Sequence, residues 1–158
     1  MGMYCEVSAA SRDVFDNLGG SDTNFGGSGG TATASSVSLE KSWHGLHYLL
    51  TGEVWEGTGP LGFLLDGGEL LGDDEESGVR WFAPDETAKI NAALKNVTDD
   101  VLWSRFDAEA MESQEIYPGI WDEDESDLKE EYLSYFNELK KVVQSAASAG
   151  QGLMVSIG

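Results

Sequence analysis

Residues 127–158 read DLKEEYLSYFNELKKVVQSAASAGQGLMVSIG, and within that stretch a helical spacing gives way to a short apolar run. Leu128, Tyr132, Tyr135, Phe136, Leu139, Val142, Val143 and Ala146 recur at helical spacing, which predicts a long helix over about Asp127 to Ala149 with a broad apolar face. Acids crowd its start and Lys140 and Lys141 lie further along, as the helix dipole favours. Gly150 is the natural C-cap, and Leu153 to Ile157 then reads as a strand. A helix with so wide an apolar face, followed at once by a strand, calls for a sheet to pack against.

Near the other end, Met3 to Val7 reads as a second short apolar strand. Ser8 can cap a helix over about Ala9 to Leu18, stopped by Gly19 and Gly20. Residues 19–36 are GGSDTNFGGSGGTATASS, with almost nothing to bury, and predict a flexible Gly/Ser-rich loop. Glu40 to Leu50 reads as a helix with Ser38 as its N-cap, because Trp43, Leu46, His47 and Leu50 keep the i, i+3, i+4, i+7 spacing. Thr51 and Gly52 end it. The apolar run Leu61 to Leu65 fits either a short strand or a helical turn, and Asp73 to Glu76 reads as an acidic turn. Val79 to Phe82 is predicted to be a strand, and Pro84 to open a helix that buries Ile90, Ala93, Leu94 and Val97. Thr98 caps a further helix with Val101, Leu102 and Phe106 inside, and Asp107 caps a short one holding Met111. Glu115 to Trp121 is expected to be extended around Pro118. The whole predicts one α/β domain: a small sheet of short strands covered by helices, with helix dominating.

The 158 residues suit a single domain, and an apolar fraction of 41% supports a core without disulfides or metals. The 29 acidic and 9 basic residues give a net charge of −20. Such a surface repels nucleic-acid phosphates and anionic lipid headgroups, and attracts basic partners or divalent cations. Neither a basic start followed by an apolar run nor an apolar stretch of about 20 residues occurs, so no signal peptide and no membrane span are expected. With one cysteine, Cys5, no internal disulfide forms, and a cytoplasmic location is expected.

Several ordered stretches, KSWHGLHYLLTG (41–52), EIYPGIW (115–121) and the final helix followed by GQGLMVSIG (150–158), resemble the YfbM-like family of small bacterial proteins. The opening MGMYCEV and the strand-then-helix around Arg80 to Leu94 match in order and spacing. The resemblance spans most of the chain and lapses at the Gly/Ser loop. It implies a one-domain α/β fold, and it brings no activity, cofactor or catalytic residue with it.

Motifs that carry chemistry are weak. Gly57 to Gly62 matches G-x-G-x-x-G, but no strand leads into it and Gly67-Gly68 interrupts any helix after it, so a structural loop is the better account. Gly26 to Gly30 matches G-x-S-x-G inside low-complexity sequence, without the strand–turn–helix that a nucleophile elbow needs. His44 and His47, at i and i+3, suggest a metal site, yet His47 shares the apolar stripe and is expected to be packed, with His44 exposed. Cys5 with His47 would make a nucleophile and base, but a thiol in a buried strand is a poor nucleophile. Asp122 to Asp127 holds five carboxylates in six residues without the glycine or terminal glutamate of a calcium loop, and reads as a solvated helix start. Asn96-Val97-Thr98 matches a glycosylation acceptor that matters only in a secreted chain.

The aromatic residues are the more informative group. The five tryptophans are expected mainly in the core. Trp43, His47, Tyr117 and Trp121, with Glu115 as a neighbouring acid, form a candidate cleft for a ligand or for general-base chemistry. Two functions therefore stand. The first is a non-enzymatic acidic module that binds or regulates a basic protein partner, masking it as bacterial immunity proteins do, with no cofactor. The second is a small-molecule binder or enzyme at that cleft.

Overall fold

The structure, a computed structural model, describes residues 4–10, 36–55, 59–65, 67–70, 79–117, 119, 121 and 123–157. Among them run β1 (Cys5–Ala10), β2 (Ser36–Glu40), α1 (Trp43–Thr51), a 3₁₀ turn (Pro60–Gly62), β3 (Glu69–Leu70), β4 (Val79–Phe82), α2 (Pro84–Lys95), α3 (Asp99–Trp103), α4 (Ala108–Ser113), α5 (Glu125–Ser148) and β5 (Gly152–Ile157). The strands form one sheet in the order β2-β1-β5-β4-β3, and every pairing is antiparallel. This is a single α/β domain with helices against the sheet.

The strand period of two divides the sheet into faces. Cys5, Val7 and Ala9 of β1, Leu153 and Val155 of β5, and Phe82 of β4 face the main core. Ala10, Val79, Trp81 and Met154 form a smaller cluster of their own. Against the main face lies α5, whose buried Leu128, Tyr132, Phe136, Leu139, Val142, Val143 and Ala146 form the stripe that the spacing predicts. The helix opens at Asp124, whose carboxylate accepts from the Ser126 N–H at 2.9 Å. Its C-cap is Ala149, and Gly150 follows with φ +68°.

Several expectations are corrected. Ala9 and Ala10 extend β1 instead of opening a helix, since both pair with β5; residues 11–18 and most of the Gly/Ser loop lie outside the described residues. Glu40, read as the start of a helix, is instead the last residue of β2, whose sequence SVSLE alternates polar and apolar. The helix starts at Trp43 with Ser42, not Ser38, in the capping position. Between strand and helix, Glu40 takes φ +49°. Val101 is 47% exposed rather than inside, because α3 is a single short turn that turns only Leu102 and Trp103 inward. The described residues between Glu115 and Trp121 turn rather than run extended, with Glu115 at φ +56° and Gly119 at φ +79°; Pro118 and Ile120 lie outside the described residues. The Leu61–Leu65 run resolves as the 3₁₀ turn and the turn residues after it. The Asp73–Glu76 turn lies outside the described residues.

Scarce cations serve the backbone. Arg80 donates to the Gly67 carbonyl at 3.0 Å and to that of Leu64, and Arg105 donates to the Leu49 carbonyl at 3.1 Å and to that of Leu50 at the end of α1. Lys140 donates to the Val97 carbonyl at 2.9 Å. Each places a cation on oxygen atoms that helix or turn geometry leaves without an amide partner.

Candidate functional site

The aromatic residues picked out by sequence divide between interior and surface. Trp43, His47 and Trp121 are buried, Tyr117 is half-buried beside them, and Glu115 is exposed. Trp43 meets the Tyr117 ring at a centroid distance of 5.5 Å, and Trp121 packs on Tyr132 at 5.6 Å. The Trp121 indole N–H donates to the Ile116 carbonyl at 2.8 Å, as a buried indole requires. Trp81 and Trp103 are buried as well, so Trp55, at 59% exposure, is the outward-facing exception.

His44, expected to be exposed, is buried and joins these parts. The Tyr117 backbone N–H donates to its Nδ1 at 2.9 Å, and its Nε2–H donates to the Val54 carbonyl at 2.7 Å. Those two bonds fix the neutral tautomer, and both nitrogens are engaged, so this ring is not free to bind a metal. Its pKa is lowered, chiefly because burial disfavours the charged ring, while the Val54 hydrogen bond acts in the opposite sense. Stacked between Trp43 and Trp55, it acts as a structural rivet. Cys5 is also buried in β1, and its thiol is pushed up to about 12, chiefly by desolvation, which leaves it unreactive. Among the described residues no three His, Cys, Asp or Glu side chains are grouped so as to hold a metal.

A different opening lies where β2 hands over to α1. A cavity of about 430 Å³ is walled by Tyr4, by the consecutive residues Glu40, Lys41 and Ser42, and by Glu131, Tyr132 and Tyr135 of α5. Successive strand residues point to opposite faces, so three neighbours on one cavity require a break. The left-handed backbone of Glu40 supplies it, at a cost of about 1–2 kcal/mol for a residue with a Cβ. The register sets Cys5 opposite Glu40, which brings Tyr4 to the same rim. On α5, Glu131 and Tyr135 are one turn apart.

The charges here are unbalanced. The Tyr135 hydroxyl donates to Glu40 Oε2 at 2.9 Å, and burial first, then that bond and the Glu40 charge, push its pKa up to about 12. The Glu131 carboxyl is raised by partial burial and then by the facing carboxylates of Glu123 and Glu40. Neither Glu40 nor Glu131 forms an ion pair with a lysine or arginine among the described residues. The Lys41 ammonium sits instead 5.8 Å from the centroid of the Tyr4 ring. Tyr132 is 1% exposed, and its hydroxyl has no hydrogen-bond partner among the described residues.

Sequence reasoning missed this site for two reasons. Glu40 and Lys41 look like a helix's first turn, and Tyr132 and Tyr135 look like plain members of an apolar stripe. The available signals were the period-two alternation of SVSLE, which marks a strand, and the tyrosine hydroxyls, which need somewhere polar to end.

Among the described residues no helix is long and apolar enough to cross a membrane. No curated protein matches the chain. A solved structure, that of the protein of unknown function YfbM from Escherichia coli, superposes with a TM-score of 0.74 at 18% identity, covering 98% of this chain and 99% of that one. At that identity the likeness shows a shared fold. The family model described as a domain of unknown function, DUF1877, matches residues 1–156, and the chain belongs to that family.

Proposed function

We propose that this chain is a non-enzymatic, cytoplasmic binding module that docks on a basic region of a protein partner and masks it, in the manner of an immunity protein. The observation that carries this reading is the pair Glu40 and Glu131, two carboxylates facing one cavity with no basic residue paired to either among the described residues. Carboxylates left unpaired beside each other repel, and an incoming cation relieves that repulsion. The net charge of −20 extends the attraction over the whole surface and favours fast encounter with a basic partner. The lone buried thiol is at home in a reducing compartment.

The test is retention of basic proteins on the immobilised full chain at two salt concentrations. At about 10 mM salt, where the Debye length is roughly 30 Å, a basic partner should be held; at about 1 M, where it is roughly 3 Å, it should elute. The double substitution Glu40→Gln with Glu131→Gln should weaken the low-salt retention. Retention that ignores both salt and this substitution, or no retention at low salt, removes the proposal.

A further inference from the structure

We propose that the cavity between Tyr4, the corner Glu40–Ser42 and α5 is a site for a primary alkylammonium group, of the kind that ends a lysine side chain, with Lys41 as its built-in competitor. The inference rests on the binding-module reading and adds to it the chemistry of the group received.

Four features of the cavity agree on this. Tyr132 is almost wholly buried on its wall, and among the described residues its hydroxyl has no hydrogen-bond partner, which leaves the oxygen open to one supplied from the cavity. A hydroxyl oxygen can accept from an ammonium N–H. Glu40 and Glu131 offer carboxylates for the other two N–H groups, and the Tyr135 hydroxyl holds Glu40 in place at 2.9 Å. The exposed ring of Tyr4 presents a π face, and a primary ammonium already lies over it: that of Lys41, at 5.8 Å, within the reach of about 6 Å for a cation–π contact. The volume of about 430 Å³ is at the small end for a ligand pocket, enough for one side-chain terminus or a small amine.

The same features exclude other classes. An anion meets two carboxylates. A bare divalent cation finds three tyrosine rings where oxygen ligands are needed in number. Lys41 is the residue that the ligand must displace, because it lies on the same wall, and among the described residues it forms no ion pair that would hold it elsewhere. It keeps the site filled with a weak internal cation until a better-placed one arrives.

The experiment is an NMR titration of the full chain with n-butylammonium chloride, against potassium chloride at equal ionic strength and against methylguanidinium. The expected result is saturable shifts confined to Tyr4, Glu40 to Ser42 and the Glu131–Tyr135 turn, absent with potassium. Tyr132→Phe, which keeps the ring and removes the oxygen, should weaken binding by about tenfold, one hydrogen bond to a charge. Tyr4→Ala, at an exposed position with little bearing on folding, should weaken it as well, and Lys41→Met should tighten it. Melting curves confirm that each variant is folded. Equal shifts with potassium, a folded Tyr132→Phe that binds as the parent does, or tighter binding of methylguanidinium overturns the proposal. The outcomes also separate it from the wider reading. If butylammonium binds but no basic protein is retained, the cavity stands and the protein-partner reading fails. If basic proteins are retained while butylammonium is silent, the cavity proposal falls alone.

Discussion

His44 commits both ring nitrogens to backbone groups from distant segments, the Val54 carbonyl and the Tyr117 N–H. Replacing it by phenylalanine keeps the stacking with Trp43 and Trp55 but strands both polar groups, so His44→Phe should lower stability by about 1–3 kcal/mol in a denaturant titration. The same ring gives a pH dependence of known sign. Its folded pKa lies below the free value of 6.5, so its contribution is complete above pH 6.5 and is lost as pH falls through the depressed folded value. Glu131 acts oppositely: its carboxyl is raised on folding, so the contribution of its neutral form is present below the ordinary glutamate pKa and is gone at neutral pH. Denaturation midpoints in the parent and in His44→Phe across pH 4–7 separate the two, because only the parent should show the histidine-linked loss. The sequence showed that His47 would be packed, since it falls on a stripe with Trp43 and Leu50, but it gave no sign that His44 would be bonded across 73 residues. Pairings of that range depend on how the segments are brought together, which local spacing does not encode.

α1 approaches α5 so closely that Gly45 has no room for a side chain. A Cβ there would stand 2.7 Å from the Trp121 ring and 2.8 Å from that of Tyr132. Alanine in a helix interior ordinarily gains about 0.5–1 kcal/mol over glycine. Here the overlap costs about 1–3 kcal/mol and outweighs that gain, so Gly45→Ala should lower the denaturant midpoint. It should also disturb Tyr132 and hence the cavity. Periodicity made α2 and α5 legible almost to the residue, since each buries one face and the pattern survives in the sequence, whereas β4 and β5, buried on both faces, showed as short apolar runs. It failed at β2, whose last residue, Glu40, reads as the start of the helix that follows and whose Ser38 reads as that helix's cap. The candidate site suffered the same fate, because it is built on that junction: the positive φ of Glu40 is a property of the corner and has no glycine to announce it.

On the scale of the molecule, 29 acids face 9 bases, and Arg80, Arg105 and Lys140 are turned toward carbonyl oxygens. Lys141 meets Glu138 at 3.5 Å in an exposed pair of little energetic weight. The folded state therefore carries self-repulsion that screening should relieve. Raising sodium chloride from about 10 mM to about 1 M should increase the melting temperature, by about 2–4 °C for each kcal/mol of repulsion removed. A melting temperature that falls over that range contradicts this account.

The position of β5 has a consequence for how the protein is made. Gly152–Ile157 lies between β1 and β4 and is hydrogen-bonded to both, with Ile157 opposite Cys5. During synthesis at about 5–20 residues per second, roughly 8–30 s separate the emergence of those two partners. Until then β1 and β4 have no neighbour to join them, and their inner edges stand open. The nascent chain thus waits with a gap at the centre of its sheet, in the interval when a chaperone is most useful, and a strand made well after both of its neighbours is the one that closes it.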